Sequence, residues 1–446
     1  VACLEAEVKR LVHMVSLGCP KARVDTEVML GELERSGYVL SDDAAQAEAI
    51  VVTTCSFLQS AVEESIDTIL ALADHKTHGC CKRLVVVGCL PSRYGDELAV
   101  ELPEVDVFLG VNELHRIAEV VAATPGRGLL AGDGLYRGRS LTTIGGSAYL
   151  KLAEGCDRRC SYCTIPQIRG PQRSREIASL VAEARRLGAQ GVKELVLIAQ
   201  DLTSYGTDLG DRQSLVRLLR ELESLSEIAW VRLMYCYPWN FTDELLQCFE
   251  ASGQVLRYVD MPLQHISERI LRDMRRSVGR GAQEALVARL RSIPGMVLRS
   301  SMIVGFPGES EAEFLELVDW VRSVAFDRMG VFAYSAEPGT VAGERSDQVP
   351  EAERLLRRDH LMAVQQEIHR AKMREMIGSR LRVLVDGISE DHPLVYAGRY
   401  YGQAPEVDGV VYLSYAEGGE PAAAGEFVEV EVEDAADYDL VGLVLS

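Results

Sequence analysis

Three times in the first part of the chain a continuous apolar run stops at a cysteine. Leu11-Val12-His13-Met14-Val15-Ser16-Leu17-Gly18 leads to Cys19, Ala49-Ile50-Val51-Val52-Thr53-Thr54 to Cys55, and Arg83-Leu84-Val85-Val86-Val87-Gly88 to Cys89. Helical patterns over Val24 to Ser36 and Gln59 to Ala73 separate the runs. Continuous apolarity, rather than alternation, marks strands covered on both faces, so the pattern predicts a β-α-β-α-β parallel sheet. Right-handed crossovers put every strand's C-terminal end on one edge of such a sheet. The three cysteines are 36 and 34 residues apart, about one β-α unit each, and are expected to converge on that edge. One such cysteine reads as a small buried residue. Three at the same station read as ligands of an iron–sulfur cluster that is one protein ligand short of four. Cys3, Cys80, Cys81, Cys236 and Cys248 occupy no matching station and are taken as structural.

Seven glycines and Pro125 within residues 124–146 mark a linker. Beyond it the pattern becomes a repeated strand-then-helix alternation. Strands are expected at Tyr149–Ala153, Glu194–Ala199, Trp230–Tyr235, Tyr258–Met261, Val297–Val304 and Arg328–Tyr334, with helical stretches between them. Six such units predict an open partial barrel, with ligands at the strand C-termini. The first strand runs into Cys156-Asp157-Arg158-Arg159-Cys160-Ser161-Tyr162-Cys163, a C-x3-C-x2-C triplet flanked further on by Arg169, Arg173 and Arg175. A closed zinc site wants four ligands. Three thiolates this close fit a four-iron cubane with one iron left open for chemistry. Polar groups gather at the other strand ends: Gln200 and Asp201, Gln264 and His265, Ser300 and Ser301, and Glu309.

From about residue 379 short strands with glycine-containing turns predict a small antiparallel barrel. Residues 376–446 hold fourteen acidic residues against Arg380, Arg382 and Arg399, a net of −11 and more than half of the chain's −20. That balance opposes phosphate binding, which leans on Lys and Arg, and suits a basic protein partner. No apolar run approaches the roughly 20 residues of a membrane span. No signal-peptide pattern is seen, so eleven cysteines in a chain expected to be cytoplasmic point to metal or catalysis rather than disulfides.

The triplet with its aromatic Tyr162 resembles the signature of the radical S-adenosylmethionine (SAM) enzymes. With Leu17-Gly18-Cys19-Pro20-Lys21, Thr54-Cys55-Ser56-Phe57, Val87-Gly88-Cys89 and Pro262-Leu263-Gln264-His265, nearly the whole chain resembles the methylthiotransferase family. Thr54 departs from the asparagine usual there, leaving Cys55 intact. The resemblance implies an α/β chain of three parts: an N-terminal parallel three-layer α/β domain over 11–123, an open (β/α)6 radical SAM partial barrel over 147–377 with a closing helix, and a small antiparallel TRAM β-barrel over 378–446. It also implies two [4Fe-4S] clusters, one on Cys19, Cys55 and Cys89 and one on Cys156, Cys160 and Cys163. SAM would bind the second cluster and be cleaved there to a radical that takes hydrogen from an unactivated C–H bond. Tyr162, Gln200, Ser300 and Glu309 are the expected SAM contacts.

Within the family, Ala404-Pro405-Glu406-Val407-Asp408-Gly409-Val410-Val411-Tyr412-Leu413 and Ala436-Asp437-Tyr438-Asp439-Leu440 are most similar to the branch that methylthiolates an aspartate β-carbon of ribosomal protein S-twelve. That reading implies a basic protein substrate, a low-potential electron donor, a monomer, and neither membrane nor dedicated nucleic-acid binding. The alternatives are a tRNA adenosine methylthiotransferase and, from another class, a non-catalytic iron–sulfur electron carrier.

Overall fold

The computed structural model describes residues 10–122, 136, 138–143, 145–389, 392–417 and 419–445. Cys3 and most of the glycine-rich stretch lie outside them. The chain divides into two units. One gathers Val1–Thr142 with Glu154–Asp157 and Thr164–Gln172, and the other gathers Thr143–Ala153, Arg158–Cys163 and Arg173–Ser446.

The first unit is built on strands β1 (Arg10–Ser16), β2 (Tyr38–Leu40), β3 (Ala49–Thr54), β4 (Arg83–Gly88) and β5 (Val107–Gly110), in the order β2-β1-β3-β4-β5 and all parallel. Its helices are α1 (Pro20–Arg35), α2 (Gln59–Ala73), α3 (His75–His78), α4 (Cys89–Tyr94), α5 (Glu97–Glu101), α6 (Ile117–Ala122) and α7 (Ile165–Arg169). Side chains alternate across a strand, so β3 and β4 feed two cores. Val51, Val85 and Val87 pack with Met29 and Leu33 of α1 and with Ile117, Val120 and Val121 of α6. Ile50, Val52, Leu84 and Val86 pack with Val62 and Ile69 of α2 and Leu98 of α5. Both faces are therefore apolar, and this is why the runs show no alternation in sequence.

The second unit opens with β6 (Ser147–Lys151), and the two-residue strands β7 (Ala153–Glu154) and β8 (Arg173–Ser174) follow in the chain. Strands β9 (Glu194–Ile198), β10 (Trp230–Leu233), β11 (Val255–Asp260), β12 (Val297–Val304) and β13 (Arg328–Ala333) extend β6 in sequential order into one open parallel sheet. Helices α8 (Ile177–Ala189), α9 (Ser214–Leu222), α10 (Asp243–Ala251), α11 (Glu268–Asp273), α12 (Arg280–Arg291) and α13 (Glu311–Val324) supply the crossovers, and α14 (Glu351–Glu375) follows the last strand.

Strands β14 (Arg380–Ile388), β15 (Tyr396–Tyr400), β16 (Val411–Ser414), β17 (Phe427–Ala435) and β18 (Leu440–Val444) close into a barrel in the order β14-β15-β16-β18-β17. All its pairings are antiparallel except the β16–β18 seam, which is parallel. Its core of Val383, Val385, Tyr400, Val411, Leu413, Val430, Val432 and Leu440 also takes in Met373 of α14. A buried charge network joins this barrel to the open sheet. Glu194 of β9 accepts from Arg232 of β10 at 2.7 Å and from Arg399 of β15 at 2.6 Å, and Arg399 also binds Asp386 at 2.8 Å. Ser147 bridges Arg399 and Glu194, and Arg232 donates to Tyr401 O at 2.7 Å.

Candidate functional site

Cys19 immediately precedes α1 in extended backbone, with Pro20 in the first helical turn. Proline suits that place because its missing N–H would have no helical partner there. Gly18 carries φ +107°, and a Cβ on it would meet the Cβ of Cys55 at 3.1 Å. Glycine takes this positive φ without strain, and its missing Cβ keeps the Cys55 side uncrowded. Cys55 follows β3, and its carbonyl accepts from the Ser65 hydroxyl of α2 at 3.0 Å. Cys89 opens α4. The Thr54 hydroxyl donates to Val87 O at 2.8 Å and accepts from Leu90 N at 3.3 Å, tying the ends of β3 and β4 together beside the two cysteines. Threonine at this position thus has work of its own between the strands.

The structure places the three thiols on the C-terminal edge of the sheet, near enough for their charges to bear on one another. Burial pushes the Cys55 thiol up, with the Cys19 charge adding to it. Burial pushes Cys89 up to about 11, with Arg169 pulling against it. The Arg169 side chain is 1% exposed, and its Nη2 stands 3.4 Å from Cys89 Sγ. The guanidinium also binds Glu154 at 2.8 Å and Asp25 at 3.3 Å. Burial disfavours its charge, but Glu154, Cys89 and Asp25 outweigh burial and keep it firmly protonated.

Cys156 also belongs to this unit, and its N–H donates to Gly170 O at 3.1 Å. The preceding Gly155 has φ +74°, and a Cβ there would lie 2.1 Å from Pro171 O and 2.6 Å from Gly170 O. Neither carbonyl belongs to a flexible side chain that could give way. Gly155→Ala is expected to displace Cys156 and lower the iron bound by its triplet, measured as iron per chain after anaerobic reconstitution.

In the second unit the turn from Cys160 to Cys163 is closed by Cys163 N–H to Cys160 O at 3.2 Å. Ser161 anchors it, donating through its hydroxyl to Asp273 O at 2.7 Å and through its N–H to Met274 O, while its carbonyl accepts from Ala342 N. Tyr162 packs against the cluster of Ile270, Met274, Phe306, Tyr334 and Ala342, as does Ile303. Arg276 donates to Pro262 O at 2.7 Å, lies 3.9 Å from the Tyr237 ring centroid, and turns Nη1 toward Cys160 Sγ at 3.9 Å. Arg158 lies 4.3 Å from the same Tyr237 ring and 4.7 Å from Trp239, and pairs with Asp201 at 2.8 Å. The Cys160 turn is therefore flanked by two guanidinium groups whose orientation is fixed.

Gln200 stands just past the C-terminal end of β9 and is half-buried. Ser300 and Glu309, both expected among the SAM contacts, have their polar atoms engaged within the protein. Ile303 of β12 shares a cluster with Tyr162, so strand alternation puts Ser301 on that face and Ser300 on the other. Ser300 is fully buried, and its hydroxyl is used within the backbone of 261–263, donating to Met261 O and accepting from Leu263 N. Glu309 is buried, with Arg357 on one oxygen at 2.9 Å and Phe306 N–H on the other at 3.1 Å. Burial pushes its carboxyl up to about 7 against the pull of Arg357. Among the described residues no three His, Cys, Asp or Glu side chains converge on a single metal ion. A cubane makes a different demand, since each thiolate ligates its own iron.

Residues 11–110 match the family described as uncharacterized protein family UPF0004, 150–321 the radical SAM superfamily, and 377–445 the TRAM domain. Ribosomal protein uS12 methylthiotransferase RimO from Anaeromyxobacter sp. (strain K) is 50% identical over 441 residues, covering 98% of this chain and 93% of its own. The protein of the same name from Trichlorobacter lovleyi is 46% identical over 97% of this chain.

The chain belongs to the RimO family.

Solved structures share its fold at low identity. The radical SAM methyltransferase TsrM from Kitasatospora setae superposes with a TM-score of 0.55 at 19% identity, over 75% of this chain and 77% of its own. The radical SAM enzyme OxsB superposes with a TM-score of 0.51 at 13% identity, over 81% and 56%.

Iron–sulfur clusters fit this RimO-family chain chemically. Buried thiols resist ionisation until a metal compensates the charge, and Arg169 is the fixed cation beside them. In the sequence Arg169 is simply one of the arginines that flank the triplet. Its partners at positions 25, 89 and 154 are remote in sequence, so no local pattern announces its role. Arg169→Met, made in a background where Cys156, Cys160 and Cys163 are alanine, is expected to weaken iron retention about tenfold or more. Iron content and visible absorbance during chelator challenge check this.

Proposed function

We propose that the chain inserts a methylthio group at the β-carbon of an aspartate of ribosomal protein uS12, using SAM and two [4Fe-4S] clusters held by Cys19, Cys55 and Cys89 and by Cys156, Cys160 and Cys163. What carries this reading is the presence of two three-cysteine sets in a chain 50% identical, over 98% of its length, to a uS12 methylthiotransferase. Bound to such a chain, a reduced cluster with an open iron supplies reductive cleavage of SAM for hydrogen abstraction, and a second open iron supplies a seat for methylated sulfur.

The protein's own groups provide the setting. Arg169 offsets the negative charge of the first thiolate set, and Arg276 that of Cys160. Tyr162 seals the loop against the barrel interior. Tyr162, Gln200 and, in place of Ser300, Ser301 are the SAM contacts proposed here. Several TRAM carboxylates face solvent, among them Glu406, Glu417, Glu420, Glu429, Glu433 and Asp434, whereas Asp386 and Asp408 are spent on arginines inside. An acidic surface speeds encounter with a basic ribosomal protein and disfavours tRNA. The working domain limits are 11–123, 147–377 and 378–446, with 124–146 as the linker. The protein acts as a cytoplasmic monomer served by a low-potential electron donor. No helix among the described residues is long and apolar enough to cross a membrane.

The test uses uS12 carrying deuterium at the aspartate β-carbons. Deuterium in the 5′-deoxyadenosine formed is the expected result, and 5′-deoxyadenosine that stays unlabelled while the aspartate becomes methylthiolated would refute the assignment.

A further inference from the structure

The N-terminal ends of the parallel strands lie on the edge opposite the Cys160 turn, and a cavity of about 390 Å³ opens there between β12, β13, α14 and the C-terminal barrel. Arg328, Gln365 and His369 form its buried base, at 6%, 3% and 2% exposure, while Tyr438 at the mouth is 42% exposed. The volume is within the range of small-molecule pockets.

The hydrogen bonds at the base leave two groups open. His369 uses both ring nitrogens, Nε2 accepting from Arg328 Nη1 at 2.8 Å and Nδ1 donating to Asp327 O at 2.9 Å. Gln365 donates its amide to Phe326 O at 2.9 Å, which fixes its orientation. Arg328 Nη2 and Gln365 Oε1 are buried without a hydrogen-bond partner. Arg328 forms no ion pair within 4 Å among the described residues, although the Tyr400 hydroxyl and the Asp408 charge both bear on its guanidinium, whereas Arg299 on the wall is held by Asp260 at 2.7 Å and Asp408 at 3.5 Å. Buried donors and acceptors are almost always paired, and an unpaired guanidinium nitrogen is among the costliest exceptions.

We propose that this cavity binds a small monocarboxylate that carries a hydrogen-bond donor next to its charge and an apolar body. The carboxylate accepts from Arg328 Nη2, the donor reaches Gln365 Oε1, and the body lies against Met362 and Tyr438. The Asp408 carboxylate on the wall disfavours a dianion, which selects a carboxylate over a phosphate. The two C-terminal stretches 404–413 and 436–440, which the methylthio chemistry leaves without a role, contribute Asp408 and Tyr438. A bound ligand would bridge α14, the sheet and the TRAM barrel, and so stabilise the folded chain by mass action.

The test is ligand-observed saturation-transfer NMR on the full chain with mandelate, an α-hydroxy carboxylate with a phenyl body, against mandelamide and inorganic phosphate. Mandelate is expected to bind with a dissociation constant of about 1 mM or tighter, and mandelamide about tenfold more weakly. Arg328→Met and Met362→Trp are each expected to weaken mandelate about tenfold or more. Met362→Trp fills the cavity without removing a charge, so it decides the matter if Arg328→Met does not fold. The proposal is overturned by no saturable mandelate binding, by mandelamide binding equally well, by unchanged binding in Met362→Trp, or by phosphate displacing mandelate as the tighter ligand.

Discussion

Replacing Cys156, Cys160 and Cys163 together with alanine is expected to abolish SAM cleavage, a loss of roughly 10⁶-fold or more, the scale of the catalysis itself. Replacing Cys19, Cys55 and Cys89 is expected to leave 5′-deoxyadenosine formation in place and to stop methylthio transfer. Each variant should retain one cluster and half the iron. The asymmetry follows from the proposed division of labour, in which radical generation needs only the Cys156, Cys160 and Cys163 set and sulfur delivery needs the other. The measurement is 5′-deoxyadenosine and methylthiolated product, quantified side by side under reducing, anaerobic conditions. Loss of 5′-deoxyadenosine in both variants, with the remaining cluster intact, would remove the division.

The second large effect concerns stability. Burial alone would raise the Glu194 carboxyl, but the charges of Arg232 and Arg399 overcome it and hold the group at about 2, below its ordinary 4.5. A shift of that size corresponds to about 3 kcal/mol of folding free energy. The folded-state value is the depressed one, so this stability is fully present above about pH 4.5 and is lost as pH falls toward 2. Burial pushes Asp386, the other carboxylate on Arg399, the opposite way, so Glu194 carries the charge balance. Glu194→Gln keeps the shape and leaves two buried guanidinium groups short of one negative charge, at a cost of about 3–5 kcal/mol. Urea titration followed by tryptophan fluorescence should show the lower midpoint, since Trp230 sits 4.9 Å from Phe427 of the C-terminal barrel. The acid limb of the stability profile should flatten in the same variant. An unchanged midpoint with an unchanged acid limb would mean that the network holds nothing together.

Much of this architecture was legible because burial on both faces writes itself as continuous apolar runs. The strands that end at Cys55 and Cys89, and the β12 strand, stand where those runs predict. What escaped was short or relational. Tyr38–Leu40 and Val107–Gly110 are too brief to carry a period, and α1 starts at Pro20 rather than Val24 because proline is tolerated in a first turn. The parallel β16–β18 seam depends on how the barrel closes, which no local stretch records. Ser300 and Ser301 are the same residue type on opposite faces of β12, and only the register of that strand shows which of them shares the face of Ile303. Asp386, one of the fourteen C-terminal acids, is tied to Arg399, a pairing visible only once β14 and β15 are side by side.

The most direct measurement offers purified ribosomal protein uS12 and unmodified tRNA together to the reconstituted chain with SAM and reductant, then locates methylthio groups by tandem mass spectrometry. Methylthiolation at the β-carbon of a uS12 aspartate, with the tRNA unchanged, is the expected result. Methylthio groups on tRNA adenosine with uS12 unmodified would contradict it.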